Sequence, residues 1–326
     1  MTKRICFPLY HTVCEVAVDW EEGAEELLQE VKRTAQHVQK LLDFYDPESE
    51  LSRLNKNYRA GVPFPVSEEL YAYLKRLDWF SRTSGGLFDS TVGPLVRLWD
   101  FTAENPKVPE PGRLEQARER CGYEKIHFLE GYAVLLEQEG MEIDPGASGK
   151  GYAVDCAEAL LRAENIRSGT INFGGNLYVL GMAGDRKWAV GVQQPWAGRG
   201  RTLGTLHLSD CAVATSGGYE RYFRLGEKVY HHILDPRTGW PVESRFQSAT
   251  AVASSAWMAD LMSTLLFLGG EEAAEPFRKE DETIGFLLVD SKGNVKVSDS
   301  LKEKFVCVSE SEVIDGKSDD SVASQR

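Results

Sequence analysis

Two adjacent histidines end a predicted strand in the stretch Tyr230-His231-His232-Ile233-Leu234-Asp235-Pro236-Arg237-Thr238-Gly239. The Asp-Pro and Thr-Gly pairs that follow turn the chain sharply. Histidine takes or gives a proton near neutral pH, and a turn on a rigid scaffold often presents such a group. The chain has only 6 histidines, so this pair marks a candidate site. The stretch alone leaves open that one histidine packs in the strand and the other lies in solvent.

The composition is that of a globular protein with a sizeable core. The 326 residues are 42% hydrophobic and 27% charged, which fits one large or two medium domains. The net charge of -13 argues against binding to nucleic acid or to an anionic membrane surface. No run reaches the roughly 18 apolar residues of a transmembrane helix, so we expect no integral membrane segment.

The cysteines and the first residues bear on the compartment. The 6 cysteines are scattered without a CxxC pair. Cys14, Cys211 and Cys307 fall in apolar strand-like runs, where buried free thiols are expected. The apolar run after Lys3 and Arg4 is too short for a secretory signal. These features predict a cytoplasmic protein in a reducing compartment, or a periplasmic one if a signal has been removed.

Apolar periodicity predicts helices and antiparallel strands. Residues 21–43 and 255–268 have the pattern of helices, the second of them mostly apolar. Residues 45–55 are too polar for a core element, so a solvated connection with one helical turn is expected there. Short strands separated by turns favour an α+β fold with antiparallel sheets. We expect a single domain over 1–308 and a polar, disordered tail over 309–326.

A glycine-rich loop, Asp144-Pro145-Gly146-Ala147-Ser148-Gly149-Lys150-Gly151, leads into a predicted helix. Backbone N–H groups and the helix dipole at such a position can receive a phosphate, and Lys150 adds a cation. The loop is not a P-loop, because Asp144 and Gly151 stand where that motif needs Gly and Ser or Thr. A kinase or ATPase is therefore disfavoured. The alternative is that the glycines only fit a tight turn.

Asp260 and Thr264 lie four residues apart, on one face of the apolar helix over 255–268. A buried carboxylate is costly unless it is paired or bound to a metal. A carboxylate and a hydroxyl one turn apart are hard oxygen ligands that suit Mg²⁺. Hydrogen bonding of Asp260 to a neighbouring helix start or loop is the alternative.

Seven motifs occur together and in order. They are Tyr45…Ser49-Glu50-Leu51-Ser52-Arg53-Leu54-Asn55, Phe88-Asp89…Thr91-Val92-Gly93-Pro94-Leu95…Trp99, Asp144…Lys150-Gly151-Tyr152…Asp155, Asn172-Phe173-Gly174-Gly175, Thr215-Ser216-Gly217, His232-Ile233…Asp235-Pro236…Thr238-Gly239 and Ala259-Asp260…Ser263-Thr264. As a set they resemble the ApbE family of FAD:protein FMN transferases. The resemblance spans the chain from about residue 10 to residue 308. Seven motifs in the right order are more specific than any one of them.

The resemblance implies a fold, a reaction and a partner. The fold would be the T-fold-like ApbE type, an α+β fold in which FAD lies in a cleft between two lobes of a single catalytic domain. The reaction would be Mg²⁺-dependent transfer of FMN from FAD to a threonine of a partner flavoprotein through a phosphoester, with release of AMP. The acceptor segment would resemble Asp-(Ser/Gly)-x-(Ser/Ala)-Thr.

The resemblance also assigns roles to residues. His232 matches the general base that acts on the acceptor hydroxyl. Asp260 and Thr264 match metal ligands, helped by Ser263 and by the backbone carbonyl of Ala147. The positions that match FAD contacts are Tyr10, Tyr45, Leu87, Phe88, Asp89, Asp144, Lys150 and Ile233.

Two stretches depart from the family pattern. Tyr10-His11-Thr12 stands where the family often has Met-Gly-Thr, which bears on the flavin contact at Tyr10. The loop residues 145–149 replace the usual Leu-Gly-Gly-Ile-Ala. The loop keeps its spacing, so the Ala147 carbonyl stays a candidate ligand.

Two other functions are compatible with the same motifs. The site could split FAD into FMN and AMP with water as the acceptor, although a flavin stacked on Tyr45 would be shielded. The protein could also bind FAD without chemistry, as a carrier or sensor. The second alternative is disfavoured, because a carrier needs neither the base His232 nor the metal pair Asp260 and Thr264.

Overall fold

The computed structural model describes residues 2–20, 23–197 and 200–308, and the predicted tail over 309–326 lies outside them. The strands are β1 (Thr2–Leu9), β2 (Thr12–Asp19), β3 (Phe64–Pro65), β4 (Ile126–Leu129), β5 (Ala133–Leu136), β6 (Gly169–Phe173), β7 (Asn176–Leu180), β8 (Trp188–Gln193), β9 (Thr202–Leu208), β10 (Cys211–Gly217), β11 (Tyr222–Leu225), β12 (Lys228–His231), β13 (Phe246–Ala253), β14 (Gly285–Asp290), β15 (Val295–Val297) and β16 (Phe305–Cys307). The α-helices are α1 (Ala24–Leu42), α2 (Glu50–Asn57), α3 (Glu68–Thr83), α4 (Gly93–Trp99), α5 (Pro111–Glu119), α6 (Gly149–Ala163), α7 (Ala256–Gly269) and α8 (Glu271–Arg278).

The largest sheet has 8 strands in the order β1-β2-β6-β7-β10-β13-β14-β15, and its neighbouring strands are antiparallel. Two smaller sheets have the orders β16-β9-β8 and β3-β5-β4, and β11 pairs with β12 alone. These pairings are antiparallel as well. The predicted α+β fold with antiparallel sheets is therefore confirmed.

The large sheet is buried on both faces along its central strands. Ala251 and Ala253 of β13 belong to the main core, which also contains buried residues of α1, α3, α6 and α7. Val252 between them belongs to a second cluster, together with Val190 of β8 and Leu206 of β9. Successive residues of a strand point to opposite faces, so helices cover one face and the β16-β9-β8 sheet covers the other.

Helix α7 lies in the main core and carries the predicted metal ligands. Its N-terminus is capped by Ser255, whose side chain accepts a hydrogen bond from the Met258 N–H over 3.2 Å. Leu261, Met262 and Leu265 are fully buried. Asp260, Ser263 and Thr264 are thus polar positions on an otherwise apolar helix.

The segment over residues 45–55 was predicted wrongly as a solvated connection. It contains most of α2, which is longer than one turn. Ser49 caps this helix, since its Oγ accepts from the Ser52 N–H over 3.0 Å. Leu51 and Leu54 are fully buried, so a short helix with polar neighbours still contributes to the core.

The cysteines differ in burial. The described cysteines are free thiols, and Cys14 is buried as predicted. Cys211 is half-buried, and Cys307 is exposed, so the prediction of burial was wrong for Cys307. Strand β16, which contains Cys307, lies at the edge of its sheet. Within the described ranges, no helix combines the length and apolar character needed to span a membrane.

Candidate active site

The ring of His231 is fully engaged in the structure. Its Nε2 lies 3.1 Å from the carbonyl oxygen of Val242, and its Nδ1 accepts from the Ile233 N–H over 3.3 Å. The ring also packs edge-on against Phe267, with centroids 5.5 Å apart. Because both nitrogens have partners, His231 is a packed strand residue, as the sequence analysis allowed for one histidine of this pair.

His232 keeps one ring nitrogen available. Its Nδ1 lies 3.2 Å from the carbonyl oxygen of Arg221, which also accepts from the His232 backbone N–H over 3.1 Å. A carbonyl only accepts, so Nδ1 carries the proton and Nε2 holds a lone pair. Burial lowers the pKa of His232 to about 4, helped by the charges of Arg221 and Lys150. The ring is therefore neutral at pH 7 and can accept a proton.

The turn after His232 is fixed by side-chain and backbone hydrogen bonds. Asp235 Oδ1 accepts from both the N–H and the Nε of Arg237, each over 2.9 Å. The Gly239 N–H donates to the Asp235 carbonyl over 2.8 Å, and the φ of 74° at Gly239 suits glycine. The indole of Trp99 donates to the Gly239 carbonyl over 2.8 Å. These contacts fix the strand end that presents His232.

The glycine-rich loop is anchored to other parts of the chain. The Asp144 N–H donates to the Ser90 carbonyl over 2.8 Å. The Tyr73 hydroxyl lies 2.6 Å from Ser148 Oγ, so the buried end of the loop is tied to α3. The Gly146 N–H donates to Asp144 Oδ1 over 2.8 Å. Helix α6 follows directly, with Gly149 as its first residue, which confirms the predicted helix after this loop.

Asp144 and Lys150 bring opposite charges to this loop. Burial raises the pKa of Asp144 to about 6, although the Gly146 N–H and the charges of Arg97 and Lys150 oppose that rise. Lys150 lies in the first turn of α6, where the positive end of the helix dipole disfavours a cation. The same positive region favours a bound anion.

The charge of Lys150 acts on several predicted site residues at once. It lowers the pKa of Asp144, of His232 and of Asp260. Electrostatic effects of this kind fall off within about 10 Å in salt solution. The loop, the strand end and helix α7 therefore share one electrostatic neighbourhood.

Asp260 is a buried carboxylate with neutral partners. Its Oδ2 accepts from the Gly151 N–H over 3.1 Å. Burial raises the pKa of Asp260, whereas the charge of Lys150, the Gly151 N–H and the side chain of Asn176 lower it. The hydrogen bond to Gly151 is the bond to a helix start that the sequence analysis gave as the alternative to a metal. The Asn176 side chain is a second hydrogen-bond partner of this carboxylate.

Three hydroxyls surround the next turn of α7. Ser263 Oγ donates to the Asp260 carbonyl over 2.8 Å. Ser216 Oγ, at the end of β10, lies 2.8 Å from Ser263 Oγ and 3.1 Å from Thr264 Oγ1. The strand end and the helix therefore place several hard oxygen atoms beside one carboxylate.

This donor set fits a hard cation such as Mg²⁺. Across residues 2–20, 23–197 and 200–308, no three His, Cys, Asp or Glu side chains come together as a metal cluster. Mg²⁺ needs no such cluster, because it takes one or two carboxylates, keeps waters and shares oxygen atoms with substrate phosphates. Ala147 lies in the loop before α6, and its role as a carbonyl ligand stays a prediction.

Asp155 joins the two helices that carry the charged residues. Its carboxylate, on α6, accepts from the Ala256 N–H over 2.6 Å and from the Trp257 N–H over 3.0 Å at the start of α7. A Cβ at Gly151 would lie 2.4 Å from the Ala256 carbonyl oxygen, so only glycine permits this approach. The relative position of Lys150 and α7 is thus fixed at the helix N-termini.

Tyr45 is presented by a tightly held loop and is 50% exposed. Asp43 Oδ1 accepts from the Tyr45 N–H over 2.8 Å. Ser52 Oγ donates to the carbonyls of Asp43, over 2.8 Å, and Phe44, over 3.0 Å. Burial of part of the ring raises the pKa of Tyr45, and the charge of Asp144 adds to that rise. An exposed ring beside the glycine-rich loop is available to stack on a flat ligand.

The predicted FAD contacts after α3 are mostly packed within the protein. Leu87 is half-buried, and Phe88 is buried edge-on against Phe80, with centroids 5.3 Å apart. Asp89 Oδ1 accepts from the Thr91 N–H over 2.8 Å, and Oδ2 accepts from the Tyr123 N–H over 3.1 Å. The carboxylate of Asp89 therefore shapes this loop.

Ile233 and Tyr10 are the remaining predicted contacts. Ile233 is buried beside His232, and its carbonyl accepts from the Val242 N–H over 3.0 Å. Tyr10 lies in the turn between β1 and β2, and its hydroxyl donates to a carbonyl of α1. Its ring centroid is 6.2 Å from that of Phe173. Contact of either residue with flavin stays a prediction.

Sequence reasoning assigned no role to four residues that support this site. Arg221 fixes the tautomer of His232, Asn176 bonds to Asp260, Ser216 joins the hydroxyl group at α7, and Asp155 caps α7. Ser216 and Asp155 stand inside motifs that were recognised. Their partners lie far away in sequence, so no local pattern identifies the contacts.

Comparison with known proteins gives concordant results. The ApbE family matches residues 10–288. An FAD:protein FMN transferase from Treponema pallidum (strain Nichols) is 31% identical over 90% of this chain and 86% of its own length. One from Klebsiella pneumoniae (strain 342) is 30% identical over 86% of this chain and 87% of its own length.

Solved structures agree with the sequence relatives. The crystal structure of the ApbE protein from Thermotoga maritima covers 93% of this chain and 99% of its own, with a TM-score of 0.84 at 29% identity. Flavin transferase ApbE from Vibrio cholerae covers the same shares, with a TM-score of 0.81 at 26% identity. The family match, the identities and the shared fold show that this chain belongs to the ApbE family, whose matched relatives are FAD:protein FMN transferases.

Proposed function

We propose that this protein is an FAD:protein FMN transferase, which moves FMN from FAD to a threonine of a partner flavoprotein and releases AMP. The observation that carries the proposal is the neutral ring of His232, with Nε2 available, in the electrostatic neighbourhood of Lys150 and Asp260. The names of the matched relatives support the same reaction. A base, a cation and a cation-binding carboxylate are what phosphoryl-type transfer to a hydroxyl requires.

His232 would act on the acceptor. A threonine hydroxyl is a weak nucleophile, so its proton passes to His232 Nε2 as its oxygen attacks the phosphorus atom of the FMN half. The new P–O bond forms as the bond to the bridging oxygen breaks, and AMP leaves with that oxygen. The Nδ1–H bond to the Arg221 carbonyl orients the ring and stabilises the imidazolium that forms.

Lys150 and the first turn of α6 would hold the pyrophosphate. An anion there offsets the unfavourable position of the Lys150 cation in the first helical turn. Asp144, which stands at the start of the loop, is held by its bond with the Gly146 N–H. Tyr45, Leu87, Phe88, Asp89, Ile233 and Tyr10 are the proposed contacts to the rest of FAD.

Asp260, Ser263 and Thr264 would hold Mg²⁺, with the Ala147 carbonyl as a further ligand. When bound, the ion supplies positive charge that stabilises the developing charge on the phosphate oxygens. The buried Asp260 carboxylate, whose pKa is raised by burial, gains stabilisation from such a cation. Ser216 holds the hydroxyls of Ser263 and Thr264 in place.

Substitution of His232 tests the proposal. His232→Ala is expected to bind FAD as the wild type does and to lose at least about 100-fold in transfer rate, the usual range for a general base. His207→Ala, on the exposed face of β9, is the matched control and should transfer normally. An unchanged transfer rate in His232→Ala would remove His232 as the base.

A further inference from the structure

A groove of about 1340 Å³ lies on the His231 side of the β11–β12 hairpin. Its lining includes Val229 and His231 of β12, Val242 and Ser244 beyond the turn, and Phe267 of α7. It does not include Lys150 or Asp260. We propose that this groove receives an extended segment of the acceptor protein, which pairs with the open edge of β12. The proposal rests on the proposed function and names where its protein substrate docks.

The edge of β12 that faces this groove has backbone groups without a strand partner. The His232 N–H bonds to the Arg221 carbonyl, and Tyr222 pairs with His231. These two contacts determine which residues of the hairpin direct their backbone groups to the partner strand and which direct them outward. In an antiparallel pair, every second residue turns its N–H and C=O outward. On β12 these are Val229 and His231. No residue of the described ranges forms a ladder with them.

The same edge is paired farther along the chain, and that pairing stops at the groove. The Asp235 N–H donates to the Trp240 carbonyl over 2.8 Å, and the Val242 N–H donates to the Ile233 carbonyl over 3.0 Å. The next partner of His231 would be Ser244. Ser244 instead donates to the Phe267 carbonyl over 2.8 Å, so the chain bends away toward α7.

The ring of His231 helps to keep this edge open. Its Nε2 bonds to the Val242 carbonyl. Without this bond, the chain at Val242 could continue its pairing along β12. A Cβ at Gly218 would lie 2.8 Å from the His231 ring, so glycine there leaves room for it. An incoming segment could therefore take the place that residues 243–246 do not occupy.

Edge pairing explains how a substrate in this groove can reach His232. Side chains of an extended strand alternate between the two faces of its sheet. Side chains of the bound segment on one face would fill the groove, on the His231 side. Those on the other face would stand on the His232 side, one diagonal neighbour away. A hydroxyl delivered in this way meets the base without threading through the fold.

One cation of the groove is available to an acidic residue of the segment. The charged residues that line the groove balance, with Arg224, Lys228 and Arg237 against Glu220, Asp235 and Glu243. Arg237 pairs with Asp235, and Lys228 lies 3.9 Å from Glu243. Arg224 has no ion pair with any residue in the described part of the chain, so a carboxylate of the incoming segment can pair with it.

Exposed apolar side chains surround the same groove. Trp196 is 54% exposed, Tyr222 is 48% exposed and Val229 is 41% exposed. Aromatic residues of this kind are enriched at protein interfaces. Main-chain pairing with pockets for alternate side chains is a recurring way to bind an extended peptide.

Val229→Pro tests the pairing directly. Proline removes the outward N–H of Val229, which the hairpin itself does not use, and it blocks a strand on that edge. With FAD, Mg²⁺ and a flavoprotein domain that carries an Asp-Gly-Ala-Thr segment, we expect the KM for this domain to rise about tenfold or more. The Kd for FAD should not change. Val229→Ala keeps the N–H and is the matched control.

Hydrogen exchange of the wild type gives a second readout that needs no variant. Adding the acceptor domain should slow exchange at the amides of Val229 and His231 and leave those of Tyr222 and Arg224, on the opposite edge, unchanged. Unchanged exchange at all four amides, or an unchanged KM in a folded Val229→Pro protein, would overturn the groove as the docking site. Protection at Val229 and His231 without FMN transfer would support the docking site and reject the proposed reaction.

Discussion

The backbone N–H of Gly151 donates a hydrogen bond to the carboxylate of Asp260, over 3.1 Å from N to Oδ2. This bond joins the first turn of α6 to the middle of α7. It places the predicted pyrophosphate-binding lysine, one residue before Gly151, beside the predicted metal ligand. The predicted anion site and the predicted cation site are therefore held together by a contact that involves no side chain from α6.

The close approach at Gly151 should make this position intolerant of any side chain. Gly151→Ala places a Cβ 2.4 Å from the Ala256 carbonyl oxygen, so α6 and α7 must separate. We expect a loss of about 1–3 kcal/mol in the free energy of unfolding. Gly149→Ala is the matched control, because its Cβ would lie 3.7 Å from the nearest atom, on Pro145. Urea unfolding of the two variants checks this, and equal stabilities would contradict the close contact.

Asp155 should make stability depend on pH. Burial raises its pKa from 3.8 to about 6, against the two N–H groups that it accepts at α7. The pKa of Asp155 is higher in the folded state than in the unfolded state. Its contribution to the free energy of unfolding is therefore fully present below about pH 4. That contribution is lost as the pH rises through about 6.

Asp155→Asn should remove this pH dependence. Between pH 4 and pH 6.5 the unfolding free energy of the wild type should fall by about 2–3 kcal/mol relative to that of the variant. Denaturant unfolding of both proteins across this range measures the difference. Parallel stability curves would show that the carboxyl of Asp155 has an ordinary pKa.

Asp260 should govern the requirement for Mg²⁺. Asp260→Asn keeps the size of the side chain and removes the charge that attracts a divalent ion. We expect the Mg²⁺ concentration for half-maximal transfer to rise at least about tenfold. Glu130→Gln removes one charge from an exposed turn and serves as the control. A Mg²⁺ titration that is the same in Asp260→Asn and the wild type would place the metal elsewhere.

The pH–rate profile should report the lowered pKa of His232. Since burial lowers that pKa to about 4, the ring is already a base at pH 6. As far as His232 is concerned, kcat/KM for the acceptor should be level between pH 6 and pH 8 and should fall only as the pH drops through about 4–5. An inflection near 6.5 that disappears in His232→Gln would mean that the ring has an ordinary pKa.

The histidine pair shows how much of the candidate site could be predicted from the sequence. Sequence alone left open whether the pair forms a site or whether one histidine packs in the strand while the other lies in solvent. In the structure His231 packs in the strand, and the role of His232 as a base stays a prediction. Their alternation on the strand separates them, but only the contacts with Val242 and Arg221 show which is which. Those partners are 11 residues away and lie outside the strands, so periodicity does not reveal them.

Long-range polar contacts explain most of what the sequence analysis missed. Asn55 bonds to both the N–H and the carbonyl of Ile143, over 2.9 and 2.8 Å, and so ties α2 to the segment before the glycine-rich loop. Residues 45–55 look polar because several of their polar groups bind the backbone of the chain. By contrast, α1 and α7 were predictable, because their apolar patterns are local.

Mass spectrometry of an acceptor domain tests the central claim most directly. The protein is incubated with FAD, Mg²⁺ and a flavoprotein domain that carries an Asp-Gly-Ala-Thr segment, and AMP is measured in the same sample. We expect a mass gain of FMN less water on the threonine of the segment, with one AMP released for each acceptor modified. AMP and free FMN without a mass gain would identify a hydrolase, and bound FAD without turnover would identify a carrier; either result would contradict the account.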